Sequence, residues 1–156
     1  MSKTDVLLSW LNETWGNRNF GFADKLLTEN ATVRGAMTRE PVSVDEVKEF
    51  AQTISSLLGP LKASADLVVE QGDWLAARII VDTENPRDRT PFRFSDHFFV
   101  RFEGGKIAEV ISQLDYFTLF ENLGQLPQDA LAACMTGETL DWKQSGLDTD
   151  LQAPVS

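Results

Sequence analysis

The chain has 156 residues, 42% hydrophobic and 24% charged, which suits one domain with a full apolar core and is too apolar for a disordered segment. Its single cysteine, Cys134, excludes an internal disulfide framework and a structural zinc cluster. With 14 Lys and Arg against 24 Asp and Glu, the formal net charge is −10. That charge argues against nucleic-acid and anionic-membrane partners.

The apolar runs are far shorter than the roughly 20 residues that span a bilayer. The opening MSKTDVLLSW lacks a basic segment followed by an apolar stretch, so a cytoplasmic location is expected. Val6, Trp10, Leu11, Thr14 and Trp15 recur at helical spacing and predict a helix over Thr4–Trp15, capped by Ser2 or Thr4 and ended by Gly16 and Asn17. A second helix, Phe20–Leu27, and a brief strand, Ala31–Arg34, follow. Ser43 and Glu46 form a capping box that opens a helix continuing through Leu57 and Leu58 to Gly59-Pro60.

From Lys62 to Asp115 the period changes from 3.6 to 2. Strands are predicted over Leu67–Glu70, Trp74–Thr83, Phe92–Phe102 and Ile107–Leu114, the last two joined by Glu103-Gly104-Gly105-Lys106. Helices over Tyr116–Leu123 and Pro127–Thr136 close the periodic part. In the second of these, Cys134 is expected to be buried beside Leu131 and Met135. The order α-α-β-α-β-β-β-β-α predicts an α+β domain over residues 1–137. N-terminal helices pack on the concave face of a strongly curved antiparallel or mixed sheet, forming a cone that encloses a pocket. Residues 138–156 read as a polar C-terminal tail.

The stretch Asp96-His97-Phe98-Phe99-Val100-Arg101-Phe102-Glu103-Gly104-Gly105-Lys106-Ile107-Ala108-Glu109, with Asp115 and Leu123-Gly124 beyond it, resembles the SnoaL-like branch of the nuclear-transport-factor-2-like superfamily. Its features are a hairpin ending in Gly-Lys-Ile, a Glu two residues on, an Asp closing the strand, and Leu-Gly ending the next helix. The likeness runs from about Thr4 to Pro127 and implies a ligand-holding cone, polyketide cyclase-like chemistry and a homodimer. The catalytic sets it implies are not intact. The cyclase aspartate falls on Ser112 and its partner histidine on Phe98, which is also where steroid isomerases place a proton-donating Asp. The Arg and Asp of limonene epoxide hydrolases fall on Ile79 and Val81, and their further Asp on Ser112.

With Phe98 and Ser112 facing the pocket, strand alternation sends Asp96, Val100, Phe102, Val110 and Leu114 inward, together with Leu75, Ala77, Ile79 and Val81. Trp10, Trp15 and Phe20 of the first two helices are read either as ligand-stacking walls or as plain core. The ligand-binding set is thus Trp10, Trp15, Phe20, Leu75, Ala77, Ile79, Phe98, Val100, Val110 and Leu114. Asp96 is the candidate proton carrier, because a carboxyl in an apolar cavity has its charged form disfavoured. Ser112 would be its hydrogen-bonding partner. The alternative is a strand-end Asp reaching solvent.

Arg78, His97, Phe99, Arg101, Ile111 and Gln113 fall on the convex face, which the resemblance implies is a dimer interface. A lone His97 makes no recognisable metal site, and Asp115 reads as a helix cap. Arg87, Arg89 and Arg93 could meet an acidic substrate or form a solvated loop. Two functions follow: cofactor-free acid–base isomerisation or cyclisation of a small hydrophobic, polyketide-like or aromatic molecule, or a non-catalytic ligand-binding or assembly domain. Neither requires a metal.

Overall fold

The computed structural model describes residues 1–35 and 38–141. Helix α1 (Lys3–Trp10) starts at a capping box in which the Ser2 hydroxyl accepts from the Asp5 amide and the Asp5 carboxylate accepts from the Ser2 amide, both at 3.1 Å. The predicted single helix to Trp15 is corrected here. At Leu11 the coil widens into a π-helical turn, Leu11–Gly16. A tertiary bond accompanies the widening. The Asn12 side chain accepts from the Ala63 amide at 2.8 Å and donates to the Ala63 carbonyl at 3.1 Å, tying the turn to a sheet edge. In a π turn the backbone bonds span five residues, which brings Trp10 and Trp15 towards a common side.

The second predicted helix is also shorter than expected. A 3₁₀ turn, Phe20–Phe22, leads into one helical turn, α2 (Ala23–Leu26), and Leu27 already has extended angles. Strand β1 (Leu27–Arg34) therefore begins four residues before the expected Ala31. The two-residue strand β2 (Val42–Ser43) pairs with it and carries no sequence period of its own. Helix α3 (Val44–Ser55) starts at the expected capping box, with Ser43 and Glu46 bonding reciprocally. It ends before Leu58 because Ser56 and Leu57 bond three residues back rather than four. Arg18 caps that end by donating to the carbonyls of Ser55 and Leu58, at 2.9 and 3.2 Å.

Strands β3 (Lys62–Gln71), β4 (Trp74–Glu84), β5 (Pro91–Glu103) and β6 (Lys106–Leu114) form an antiparallel meander. β1 pairs with β6 in parallel, so the six-stranded sheet is mixed, in the order β2-β1-β6-β5-β4-β3. The sheet is curved and does not close, with α1 and the widened turn against its concave face. Register shifts between Ala65 and Leu67 and between Arg101 and Phe102 supply local bends of the kind that increase twist. Every second residue of β4 and β5 is buried: Leu75, Ala77, Ile79 and Val81, and Phe94, Asp96, Phe98, Val100 and Phe102.

Helices α4 (Tyr116–Asn122) and α5 (Ala130–Met135) follow the sheet. Asp115 caps α4 as expected, accepting from the Thr118 amide at 3.2 Å and from its hydroxyl at 2.6 Å. The expected burial of Cys134 is overturned: it is exposed, as are Leu131 and Met135. The cause is the shortness of α5, which buries only Ala130. Residues 138–141 are irregular and exposed, and the rest of the expected tail, 142–156, lies outside the described residues. No helix among the described residues is long and apolar enough to cross a membrane.

Candidate functional site

Between the concave sheet face and the helices lies a cavity of about 80 Å³. The sheet supplies Ile79, Val81, Phe94, Asp96, Phe98, Ser112 and Leu114, and the helical side supplies Trp10, Trp15, Val47, Phe50, Ile54 and Leu58. Tyr116, in the first turn of α4, and the exposed Thr38 also line it, together with Leu11, Val33, Val42, Leu61 and Ala63.

Two of the three central polar groups come from neighbouring strands. Phe98 lies opposite Ser112 in the β5–β6 register, and Asp96 stands two residues along on the same face. The Ser112 hydroxyl donates to the Asp96 carboxyl at 3.0 Å. Both are enclosed, Asp96 8% and Ser112 3% exposed. Burial among apolar walls pushes the Asp96 carboxyl up from 3.8 to about 7, against the downward pull of the Ser112 hydroxyl and the Gln113 backbone amide. The third group is the Tyr116 phenol, pushed above its ordinary value by burial and by the nearby Asp96 charge. Its ring stacks on Phe120, with centroids 5.5 Å apart and planes at 22°. The Nε1 atoms of Trp10 and Trp15 are buried with no hydrogen-bond partner among the described residues.

Of the residues expected to line the pocket, Trp10, Trp15, Ile79, Phe98 and Leu114 do so, beside Asp96 and Ser112. Leu75, Val100 and Val110 do not. They form one cross-strand row nearer the β5–β6 turn, and each is completely buried in solid core. Ala77 faces the same side but is packed into that core, and Phe20 is half-buried in the 3₁₀ turn away from the cavity. Alternation identifies a strand's inner face but not where along it the packing opens.

Three lining aromatics, Phe50, Phe94 and Tyr116, lie outside the expected set. Phe94 carries the same parity as Asp96, and Phe50 lies on the apolar stripe of α3, so both had a sequence signal. Tyr116 had none, because its place depends on how α4 folds back. His97 is exposed on the opposite face, and Arg93 pairs with Asp82 at 2.7 Å rather than facing the cavity. Among the described residues no cluster of three or more His, Cys, Asp or Glu side chains could hold a metal ion.

A curved, unclosed sheet with helices across its concave face and a cavity between them defines the nuclear-transport-factor-2-like cone. Within that class, the family model described as SnoaL-like polyketide cyclase matches residues 5–123, and the chain belongs to this family. Several solved structures share the fold. A SnoaL-like polyketide cyclase from Agrobacterium tumefaciens is 22% identical with a TM-score of 0.61, the match covering 80% of this chain and 100% of that one. IdmH from Streptomyces antibioticus, described as a candidate polyketide cyclase, is 17% identical with a TM-score of 0.66, covering 79% and 99%. TsrD from Streptomyces laurentii is 17% identical with a TM-score of 0.62, covering 78% and 92%. No curated protein matches the chain.

Proposed function

We propose that the cone binds a small, largely apolar carbonyl compound in the cytoplasm and that Asp96 moves a proton on it without a cofactor. The observation that carries this reading is the Asp96 carboxyl itself, enclosed by apolar walls, bonded to Ser112 at 3.0 Å and poised near neutrality. A base serves best when its pKa lies near the working pH. The ionised carboxylate takes a proton from the carbon beside the carbonyl, the C–H electron pair forms the enolate, and the carboxylic acid returns the proton to carbon. Ser112 holds the carboxyl in one orientation through both steps. The cavity of about 80 Å³ is roughly half the 150 Å³ that accepts benzene in a known engineered cavity, which favours a compact substrate over a fused-ring polyketide.

The test is a thermal-shift screen of small hydrophobic ketones and aldehydes, since a ligand that binds only the folded state raises its melting temperature. Exchange of the α-protons of each hit is then followed by NMR in D₂O. Exchange should accelerate as Asp96 ionises near pH 7 and fall by about 10²–10⁴ in Asp96→Asn. Undiminished exchange in that variant overturns the reading.

A second reading, a ligand-binding or assembly domain without catalysis, is favoured by Phe98 and Ser112 at the positions where the resemblance implies a histidine and an aspartate. Hits that bind the wild type but exchange no protons would decide for it.

We propose also that two copies associate through the convex sheet face. Val69, Ala76, Phe99 and Ile111 are successive register partners across β3, β4, β5 and β6. They form an apolar row in which Phe99 is 54% and Val69 59% exposed. Polar residues flank it, with Arg78, His97 and Gln113 on one side and Arg101 on the other.

A further inference from the structure

Proton transfer on a neutral carbonyl compound leaves one property of the cavity unused. Asp96 and Tyr116 are its only titratable lining residues among those described, and both are anionic when ionised. The strands, α1, the π turn and α3 contribute no charged side chain beyond Asp96, and α4 contributes only the phenol. An ionised Asp96 therefore has a hydroxyl and a backbone amide for company but no cationic counter-charge.

The remaining wall is rich in rings: Trp10, Trp15, Phe50, Phe94 and Phe98 line the cavity together with Tyr116. Aromatic faces carry the negative end of a quadrupole and attract cations, most strongly where water is excluded. We propose that this cavity takes a compact organic cation, an alkylated ammonium group of about three non-hydrogen atoms such as dimethylammonium, held between the Asp96 carboxylate and the aromatic wall.

The competing ligand charges fit less well. An anion would meet a carboxylate and no cationic side chain. A hard cation such as Mg²⁺ or Ca²⁺ would need six or so oxygens, and the lining side chains that carry oxygen are Thr38, Asp96, Ser112 and Tyr116. An alkylated ammonium spreads its charge over methyl groups, which suit an apolar wall. The net charge of −10 raises the local concentration of cations around the molecule. The inference needs the cavity and the ionised carboxylate but no reaction, so it stands or falls apart from the proton-transfer reading.

The probe is dimethylammonium chloride, titrated calorimetrically into the whole chain against sodium chloride at equal ionic strength. Ethanol serves as the neutral molecule of similar size. With the Asp96 carboxyl at about 7, the cation should bind about tenfold more weakly at pH 6 than at pH 8, because it binds only the ionised form. Ethanol should bind alike at both. Asp96→Asn should abolish cation binding, and Phe98→Leu should weaken it a few-fold while leaving ethanol unaffected. Absence of cation binding to the wild type at pH 8, equal affinity at the two pH values, or full retention in Asp96→Asn would overturn the proposal. Should Asp96→Asn fail to fold, the pH ratio and Phe98→Leu decide.

Discussion

Asp96 couples the stability of the molecule to pH in a direction opposite to that of most carboxylates. Its folded-state value of about 7 lies above the ordinary 3.8, so between these values the folded chain holds a proton that the unfolded chain has lost. Stability from this group is complete below about pH 4 and is lost as pH rises through 7, amounting to about 4 kcal/mol at most. Exposed Asp5, Asp82 and Asp88 are shifted the other way. The Ser2 hydroxyl, the Arg93 guanidinium and the Thr90 backbone amide, respectively, hold them below 3.8. Their contribution is present above that value and fades as pH falls through their lowered pKa values. Urea unfolding should therefore show a fall in stability between pH 5 and pH 8.5 that Asp96→Asn largely removes, and a superimposable slope in the variant would refute the burial argument. Ser112→Ala makes a related prediction. It deletes a hydrogen bond that favours the charged form, so the Asp96 titration, followed by carboxyl-carbon NMR, should move further up.

Ser112 is itself positioned by the element beside it. Where β1 ends, Gly35 has a φ of +87°, and a Cβ there would lie 2.1 Å from the Ser112 carbonyl oxygen. Both the backbone angle and the close approach require glycine. Gly35→Ala should cost about 2–4 kcal/mol by urea unfolding, and should displace the Asp96 titration because Ser112 must shift. A loss under about 0.5 kcal/mol would show that the β1–β6 contact yields easily. This level of order was only partly legible in the sequence. Strands β4 to β6 and the start of α3 announce themselves because alternation and a capping box are local signals. The first half of β1 does not, since Thr28, Glu29 and Asn30 break the alternation, and β2 is too short to have any. The π turn depends on Asn12 meeting Ala63, 51 residues away. The same division runs through the site. The inward parity of Asp96 and Ser112 is local, whereas Tyr116 joins them only through the packing of α4.

For the whole molecule, the two sheet faces make separable predictions because adjacent residues of β5 serve different ones. Phe98 is 5% exposed and lines the cavity; Phe99 is 54% exposed and lies on the convex row. A second copy seated on that row would bury Phe99 together with Val69, which is 59% exposed. Around it, Arg101 pairs with Glu109 at 3.2 Å and with Glu103 at 2.5 Å, and Arg78 pairs with Asp66. These pairs are too exposed to add much affinity, so the association should depend chiefly on apolar burial and change little with salt. Sedimentation equilibrium should give a mass of two 17.4 kDa chains for the wild type and of one chain for Phe99→Asp. Because Phe99 points away from the cavity, that variant should keep the wild-type thermal shift with any ligand of the cone. An unchanged mass would exclude the convex row as the interface, and a lost thermal shift would show that the cavity depends on assembly.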